Sequence, residues 1–385
     1  MKLIKRADVY SPRHMGICDI LIEGNKIAKI APRIDGYDGI KEAEILDMEG
    51  RRLVPGYIDL HEHITGGGGE NGPASRVPEA QAGQLLGNGV TTAVGLLGTD
   101  GVTRSLENLL AKTRGLCEEG VTCYMLTGAY GYPAPVLTGS VERDILLIDR
   151  IIGVKTSMSD HRSSALTGEE LIRLAVQARR GGMLAGCAGF VTIHVGSGKG
   201  KLDPLFYAAK HSDVPVSKFL PTHIGRTKEL LEEGIQWIGM GGTVDMTAGL
   251  GEKELEETAD KILRVLEADP EAEHMTLSSD GFGSMPRFNE QMECIGLTYA
   301  SPSSLHRQLR TLVLGRGVKL ETALRFLTAN PARVLGLTGI KGTIAEGADA
   351  DFAVYDDGMN LAHVFAGGRK AVWNGERLMK GTFEE

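Results

Sequence analysis

The stretch "LVPGYIDLH", residues 53–61, is short and mostly apolar, and it ends on a histidine. A mostly apolar run without apolar–polar alternation is typical of a strand buried on both faces of a parallel sheet. Seven more runs of this kind follow it, at residues 90–98, 122–130, 151–159, 189–196, 216–223, 241–248 and 274–281. The chain therefore contains eight apolar segments that are predicted to be strands.

Amphipathic stretches separate these runs, most clearly at residues 105–120, 167–182 and 251–268. The first opens on Ser105 in an approximate capping signal. The second opens on Thr167 with Glu170 three residues later, which predicts a capping box. Buried parallel strands that alternate with helices predict an α/β protein, and eight units predict a (β/α)8 TIM barrel over residues 53–342.

The two ends of the chain have a different pattern. Residues 1–52 contain short hairpin-like strands with turns at "EGNK" (23–26) and "MEGR" (48–51). Residues 343–385 are similar, beginning with "TIAEGADADFAVYD" (343–356). We expect one small β-sandwich domain, built from both termini and flanking the barrel.

Composition excludes several classes of protein. No apolar run in the 385 residues reaches the ~18 that suggest a membrane span. The net charge of −8 disfavours nonspecific nucleic-acid binding. The N-terminus lacks the apolar core of a signal peptide, and the five cysteines are scattered, with no C-x-x-C pair. We expect a cytoplasmic protein that acts on a small molecule, with no nucleic-acid or membrane partner.

The chemistry is indicated by polar residues at the ends of the predicted strands, where barrels carry their catalytic groups. These residues are His61, His63, Tyr130, Lys155, His194, His223 and Asp280. Each alone has an ordinary structural explanation. Four histidines and an aspartate that converge on one barrel mouth predict a site for divalent metal ions such as zinc.

Two features refine this metal-site prediction. His61 and His63 are two residues apart on a strand, so both side chains point to the same face. A protonated lysine among metal ligands is disfavoured, so Lys155 fits if it is neutral and carboxylated by carbon dioxide. The resulting carbamate can bridge two metals. The histidines outside strand ends are expected to be structural or exposed; they are His14, His211, His274, His306 and His363. His161, in the loop after the fourth strand, is expected near the site without being a ligand.

Six motifs carry a resemblance that covers essentially the whole chain. They are "HEHITGGGGENGP" (61–73), "AVGLLGTD" (93–100), "MLTGAYGYP" (125–133), "IGVKTSMSDHRSS" (152–164), "LPTHIGR" (220–226) and "LSSDGFGS" (277–284). With this order of ligands, the sequence resembles the amidohydrolase superfamily and, within it, the isoaspartyl dipeptidases. Dihydroorotases, which are near relatives, carry an arginine where this chain has Thr65.

The resemblance implies a complete site. His61, His63 and Asp280 would hold one zinc ion, His194 and His223 the other, and carboxylated Lys155 would bridge them with a hydroxide. The implied substrate contacts are Gly68, Gly69, Glu70, Thr99, Tyr130, Arg162, Arg226 and Ser284. Glu62, Gly131 and Tyr132 depart from the family pattern. We expect these departures to remove none of the named functions and to alter, at most, the rim of the pocket.

The implied reaction is hydrolysis of β-aspartyl dipeptides. A hydroxide bridging the metals attacks the amide carbonyl, which one zinc and Tyr130 polarise, while Asp280 carries the proton to the leaving amine. Glu70 pairs with the α-ammonium. Arg162 and Arg226 bind the two carboxylates. The sequence does not determine which arginine binds which carboxylate, and the assignment that we favour is Arg226 with Ser284 at the aspartyl α-carboxylate. The family also implies a homo-oligomer.

Two other readings stay open at this point. Another binuclear amidohydrolase, acting on a cyclic amide or ureide or on an N-acyl amino acid, would share every metal ligand. A non-catalytic scaffold of the same fold is the second, although such proteins typically lose metal ligands. The glycines at 66–69 are expected to let backbone approach the substrate and to present Glu70; the alternative is a flexible loop with an exposed glutamate.

Overall fold

The computed structural model describes residues 1–37, 39–289, 291 and 293–385. Its first five strands are β1 (Lys2–Ser11), β2 (Arg13–Glu23), β3 (Lys26–Ala31), β4 (Glu44–Asp47) and β5 (Arg52–Pro55). β2 and β3 pair antiparallel, with Glu23 opposite Lys26. The turn predicted at residues 23–26 is therefore confirmed.

The turn predicted at "MEGR" (48–51) is confirmed, since Arg51 N donates to Met48 O at 2.9 Å, but the strands on either side of it do not form a hairpin. β4 and β5 do not pair with each other, because both run parallel to β1 along the same edge. β1 is irregular between these two pairings, where Arg6 has a φ of 52°. Met48 N donates to Lys5 O at 2.9 Å and Gly50 N to Arg6 O at 2.8 Å, so the connection is itself bonded to β1.

The middle of the chain alternates strands and helices in the predicted order. These elements are β6 (Tyr57–Glu62), α1 (Ala82–Leu86), β7 (Val90–Gly95), α2 (Leu106–Glu118), β8 (Thr122–Gly128), α3 (Val141–Leu147), β9 (Ile151–Met158), α4 (Gly168–Ala185), β10 (Phe190–Val195), α5 (Asp203–His211), β11 (Phe219–Thr222), α6 (Lys228–Gly239), β12 (Val244–Thr247), α7 (Glu252–Ala268) and β13 (Met275–Ser278). All eight predicted strands are confirmed as strands. The first predicted run, residues 53–61, is divided at Gly56, because β5 belongs to a different sheet from β6.

Strands β6 to β11 form one parallel sheet in the order β11-β10-β9-β8-β7-β6. β12 and β13 pair in parallel, with β12 against β11 and β13 against β6. Glu62 also forms a parallel bridge to Gly281, just beyond β13. Parallel strands that are covered by helices deliver their carboxyl ends to one side, and the site is built there.

Helix α4 shows how the sequence determines these elements. Thr167 accepts a hydrogen bond from Glu170 N, and the Glu170 side chain accepts one from Thr167 N, so the predicted capping box is confirmed. Gly186 ends the helix in the left-handed region at a φ of 68°. The buried face has helical spacing; it includes Leu171, Leu174, Ala175 and Ala178.

The remaining elements follow β13. They are β14 (Ser284–Phe288), β15 (Cys294–Tyr299), α8 (Ser303–Arg310), α9 (Leu320–Arg325), α10 (Ala329–Val334), β16 (Phe352–Tyr355), β17 (Leu361–Ala366), β18 (Arg369–Trp373) and β19 (Glu376–Arg377). Short 3-10 turns occur at Pro73–Ser75, Val216–Lys218 and Ile224–Arg226, and a π-helical turn at Thr311–Gly315. Among the described residues no helix combines the length and apolar character that crossing a membrane requires.

Strands from both ends of the chain form one mixed sheet of nine strands. Its order is β19-β18-β17-β16-β5-β1-β2-β3, with β4 paired to β1. The two ends meet where β16 pairs antiparallel with β5, Phe352 lying opposite Pro55. The predicted domain boundaries at 52/53 and 342/343 stay a prediction.

A buried ion pair links this mixed sheet to the parallel sheet. Lys341 Nζ lies 2.5 Å from Asp351 Oδ2, 2.9 Å from Asp349 Oδ2 and 2.7 Å from Thr122 Oγ1 at the start of β8. Burial disfavours the ammonium, but the two carboxylates outweigh burial and raise the pKa of Lys341. The lysine is therefore charged and fully engaged.

We predict that Lys341→Met lowers the free energy of unfolding by about 3–5 kcal/mol, because it leaves the buried carboxylate of Asp351 without its ion-pair partner. Lys26→Met is the matched control, since Lys26 also pairs with Asp349, at 2.7 Å, but its side chain is 45% exposed. The control should cost less than about 1 kcal/mol. Urea unfolding of both variants measures the difference, and equal losses would contradict a special role for the buried pair.

Candidate functional site

The four histidines predicted as metal ligands lie together. His61 is on β6 and His63 follows it, His194 is on β10, and His223 follows β11; all four side chains are buried. Ring centroids are 5.4 Å apart for His61 and His63, 5.0 Å for His61 and His223, and 4.7 Å for His194 and His223. The parallel sheet thus assembles one imidazole cluster from three strand ends.

Lys155 and Asp280 complete this cluster. Lys155 on β9 places Nζ 3.1 Å from His61 Nε2. Asp280 follows β13, and its Oδ1 lies 3.1 Å from His63 Nε2 and 3.5 Å from His61 Nε2. His223 and Asp280 both have left-handed backbone, with φ values of 65° and 54°. Such strained residues concentrate at functional sites, where the surrounding structure holds them.

Burial determines the charge of this cluster. It lowers the pKa of His61, His194 and His223 well below the ordinary value, assisted by the positive charge of neighbouring groups. Burial also lowers the pKa of Lys155 to about 7. The imidazoles of these three histidines are therefore neutral near pH 7, which is the form that binds metal ions.

One part of this cluster has the geometry of a metal site. The donor atoms of His61, His63 and Asp280 all lie within 4.8 Å of one another. His61 Nδ1 and Asp280 Oδ1 are buried and make no hydrogen bond to any described residue. Buried polar atoms without partners are costly, and a divalent cation would satisfy them. Imidazoles with a carboxylate suit zinc, so the residues fit the metal that the sequence predicts.

The neighbouring histidines are engaged by polar groups. His223 Nδ1 lies 2.6 Å from Thr247 Oγ1, which fixes the ring and leaves Nε2 for a ligand. His194 Nδ1 lies 2.6 Å from the Tyr130 hydroxyl, and its Nε2 lies 2.9 Å from Asp160 Oδ2. A metal ion at His194 would replace one of these two contacts.

A cavity of about 710 Å³ opens over the cluster. The substrate-binding residues predicted from the sequence that line it are Gly68, Glu70, Thr99, Tyr130, Arg162, Arg226 and Ser284. Gly69 is not among the lining residues; it belongs to the adjoining turn, where its carbonyl accepts a hydrogen bond from Gly72 N at 3.0 Å. His63, His194 and Asp280 line the same cavity, so the predicted metal and substrate groups share one space.

The glycine run is held in place on both sides, so the flexible-loop alternative is wrong. Gly67 N donates to Phe282 O and Gly67 O accepts from Val77 N, both at 2.9 Å. A Cβ at Gly67 would lie 3.0 Å from Ser284 N, which explains the need for glycine there. Gly68 has a φ of 92°, a conformation that favours glycine.

Glu70 is presented by this run with its side chain only 9% exposed. Its Oε1 accepts from Thr99 Oγ1 at 3.2 Å and lies 3.4 Å from Arg162 Nη1. Its Oε2 accepts from Ser284 Oγ at 2.8 Å. Four of the predicted substrate residues therefore form one polar network.

Asp160 joins this network and was not predicted from the sequence. Its carboxylate binds Arg162 in a bidentate manner, with Nε and Nη2 each at 2.9 Å, and lies 3.5 Å from Arg226 Nη1. Burial alone would raise its pKa, but hydrogen bonds to His194 and Arg162 hold the pKa of Asp160 well below its usual range. The only signal was a carboxylate two residues before Arg162 in "SDHR".

Tyr130 lies between the arginines and the imidazoles. Its ring is 5.6 Å from the Arg162 guanidinium carbon, and its hydroxyl contacts His194 as described. Burial raises the pKa of the Tyr130 phenol above its ordinary value. The hydroxyl therefore stays protonated and can act as a hydrogen-bond donor.

The expectation that Glu62 affects the pocket rim is wrong. Its side chain is fully buried, and Oε1 lies 3.4 Å from Ser279 Oγ, away from the residues that line the cavity. Burial and the nearby Asp59 carboxylate raise the pKa of Glu62 well above its usual range, which favours the neutral acid. Gly131 and Tyr132 are not lining residues either.

The histidines predicted to be structural lie elsewhere. His306 Nδ1 lies 2.7 Å from the Tyr57 hydroxyl, and His363 stacks on Trp373 with centroids 3.9 Å apart. His14 contacts Asp8, His211 contacts Tyr207 O, and His274 contacts Asp269. His161 lies beside Asp160 at the cavity, as expected.

Comparison with known proteins identifies the family to which the chain belongs. The sequence model of the amidohydrolase family matches residues 294–367. The crystal structure of a β-aspartyl dipeptidase from Fervidobacterium islandicum AW-1, in complex with β-Asp-Leu, is 40% identical with a TM-score of 0.93, covering 98% of this chain and 97% of that one. The chain belongs to the β-aspartyl dipeptidase family of amidohydrolases.

More distant matches share the fold or a segment with this family. Dihydropyrimidinase from Brevibacillus agri is 16% identical, with a TM-score of 0.67 over 99% of this chain and 96% of that one. A dihydroorotase from Staphylococcus aureus is 41% identical over 70 residues, which are 18% of this chain and 16% of that protein. The chain thus spans only a small part of this curated relative.

We predict that His63→Asn lowers the amount of divalent metal that the purified protein retains, because it removes one of three converging donors. The loss of affinity should exceed the ~10–100-fold that removing an outer partner of a ligand costs. His161→Asn is the control, since His161 lies at the same cavity but is 43% exposed and outside the three-donor group. Elemental analysis after dialysis measures metal per chain. Wild-type metal content in His63→Asn would remove His63 from the site.

Proposed function

We propose that the protein hydrolyses the isopeptide bond of β-aspartyl dipeptides as a metal-dependent dipeptidase. The observation that carries this proposal is that one carboxylate, Glu70, and two guanidiniums, Arg162 and Arg226, line the cavity that also contains the imidazole cluster. Family membership supports the same substrate class, since the relative from Fervidobacterium was crystallised with β-Asp-Leu.

The charges of a β-aspartyl dipeptide explain why one carboxylate and two guanidiniums are needed in the cavity. In a β-aspartyl dipeptide the bond is made through the side-chain carboxyl, so the first residue keeps a free ammonium and a free α-carboxylate. The second residue carries another carboxylate. Glu70, Arg162 and Arg226 are the complement of these three charges, with Asp160 holding the two arginines in place. Arginine binds carboxylates with two parallel hydrogen bonds.

The geometry also favours an assignment of the two arginines. The ammonium and α-carboxylate of the aspartyl residue share one carbon, so their partners must be neighbours. Glu70 and Arg162 are neighbours, whereas Arg226 lies on the far side of Asp160. We therefore assign Arg162 to the aspartyl carboxylate and Arg226 to the second residue, which reverses the assignment made from the sequence.

Binding then proceeds as an exchange of partners. The substrate ammonium takes the place of Arg162 Nη1 at Glu70, and the N–H groups of Nη1 then donate to the substrate carboxylate. Asp160 keeps Arg162 in place throughout through Nε and Nη2. Because the groups are already positioned, little ordering is required when the substrate binds.

The metal ligands in this proposal are those expected from the sequence. His61, His63 and Asp280 would hold one ion and His194 with His223 the other, zinc being the metal that suits the donors. Lys155, buried beside His61, would be carboxylated and bridge the two ions. When bound, the ions lower the pKa of a water and polarise the scissile carbonyl.

The chain's own groups move the protons. The Tyr130 hydroxyl, which stays protonated, donates a hydrogen bond to the carbonyl oxygen as negative charge develops there. The Asp280 carboxylate accepts the proton that water loses on attacking the amide carbon. It then gives this proton to the leaving amine, which cannot depart unprotonated.

The architecture proposed for this function is a closed barrel with a small β-sandwich. The contacts of β12 with β11 and of β13 with β6 support closure of the eight parallel strands into one (β/α)8 barrel. The mixed sheet built from both ends supports a β-sandwich of residues 1–52 and 343–385. The homo-oligomer implied by the family is also part of the proposal.

Hydrolysis of β-Asp-Leu, compared with α-Asp-Leu and a dihydropyrimidine, tests the function. We expect turnover of the first only, because the α-linked dipeptide lacks the free α-carboxylate beside its ammonium. Turnover of the dihydropyrimidine in preference to β-Asp-Leu would identify a cyclic-amide hydrolase instead. No turnover of any substrate by metal-loaded protein would favour a non-catalytic scaffold.

We predict that Glu70→Gln lowers kcat/KM for β-Asp-Leu about tenfold to more than a hundredfold, the effect of losing a charge-assisted contact of roughly 1.5–3 kcal/mol. Acetylation of the substrate amine should cost wild-type enzyme a similar factor. Glu79→Gln, on a carboxylate that is not a lining residue of the cavity, is the control.

The combination of mutant and acetylated substrate gives the decisive measurement. If Glu70 and the ammonium share one contact, the combined loss should be much smaller than the product of the two separate factors. Losses that simply multiply would show that Glu70 does not bind the amine. A wild-type preference for the acetylated compound would instead indicate an N-acyl amino acid hydrolase.

A further inference from the structure

A side pocket of about 190 Å³ leaves the cavity beside His223, Asp280 and Arg226. It is bounded by the end of β12, the middle of α7 and the start of β14. The residues that form its walls are Gly225, Met246, Thr247, Thr258, Lys261 and Met285. None of these six was assigned a role by the sequence or by the proposed mechanism.

The walls of the side pocket are mainly apolar. Met246 and Met285 contribute flexible thioether chains, which adapt to different apolar partners. A Cβ at Gly225 would lie 2.6 Å from Met246 Sδ and 3.3 Å from Lys261 Cδ, so glycine keeps the pocket open at this point. The Lys261 stem thus lines the pocket, and Lys261, Asp280 and Arg226 are the charged residues among the described ones that form its walls.

Lys261 has no counter-ion among the ion pairs of residues 1–37, 39–289, 291 and 293–385. Its neighbour one helical turn back, Glu257, is 3.5 Å from Lys253 instead. Glu254 and Glu257 line the outer cavity, which Lys261 also borders, but they do not line the side pocket. The ammonium of Lys261 is therefore available to a ligand that enters the side pocket.

Stereochemistry indicates which part of a substrate enters. The Cα of the second residue carries the scissile nitrogen, the carboxylate and the side chain. Asp280 protonates the nitrogen and Arg226 binds the carboxylate in the proposed function, and both residues border the side pocket. The third substituent, the side chain, is then directed into the pocket.

We propose that the side pocket receives the side chain of the second residue, and that Lys261 makes the enzyme prefer an acidic side chain of glutamate length there. The inference rests on the proposed function, and it adds the preference at the leaving residue. The thioethers contact the methylene groups of such a side chain, and the ammonium of Lys261 pairs with its terminal carboxylate.

The test compares β-Asp-Glu with β-Asp-Gln, which have nearly the same shape and differ in one charge. We expect wild-type kcat/KM to be about two- to tenfold higher for β-Asp-Glu, as for a partly exposed ion pair. Lys261→Met should bring this ratio close to one, and Lys261→Glu should invert it. Because each ratio is measured within one variant, a loss of folded protein cancels.

Lys253→Met is the matched control. It removes the same charge from the same helix, but the Lys253 side chain is 89% exposed and outside the side pocket. The ratio should stay at its wild-type value in this variant. A loss of the preference in Lys253→Met as large as in Lys261→Met would assign the effect to overall charge and overturn the proposal.

Other outcomes separate this inference from the proposed function. If β-Asp-Leu is hydrolysed but the wild-type ratio is one, or if Lys261→Met keeps the wild-type ratio, only the role of Lys261 is wrong. If metal-loaded enzyme hydrolyses none of the three dipeptides, the proposed function fails and the inference fails with it.

Discussion

Burial of ionisable groups at the carboxyl ends of the parallel strands is the constraint on which the rest of the site depends. Four imidazoles, one amine and one carboxylate converge in a nearly dry space, and each would be more stable in water. Burial favours the neutral forms of the nitrogen bases, which are the forms that bind cations. The same desolvation that costs stability therefore prepares the cluster for its ligand.

In the cavity above this cluster, acidic and basic side chains alternate. Glu70, Arg162, Asp160 and Arg226 form a row in which each member contacts the next. The row is neutral as a whole, so it is tolerated without a ligand in an acidic protein. A zwitterionic substrate can enter by replacing contacts within the row, so the positions of the charges determine which substrates bind.

The sequence predicted the repeated elements and the ends of the strands well, for a physical reason. A strand buried on both faces must be apolar along its length, so a histidine or aspartate at its end is conspicuous. The three-dimensional contacts of the loops have no such signal. Asp160 was missed because only the fold brings His194 and Arg226 to it.

The errors have the same origin. "MEGR" has the composition of a hairpin turn, but an irregularity in β1 lets two parallel strands share one edge. Glu62 was expected to act at the rim because it departs from the family pattern, although strand alternation directs it to the opposite, buried side. The hairpin of β14 and β15 interrupts the alternation of strands and helices in the barrel. No periodicity in the sequence predicted this hairpin.

The pairing of β5 with β16 has a consequence for synthesis on the ribosome. Pro55 and Phe352 are partners in one sheet, yet nearly 300 residues separate them in the chain. At ~5–20 residues per second, β5 waits roughly 15–60 s for its neighbour. During that interval its open edge can pair with other chains. The early strands of this protein therefore keep an unpaired edge until the last part of the chain has been synthesised.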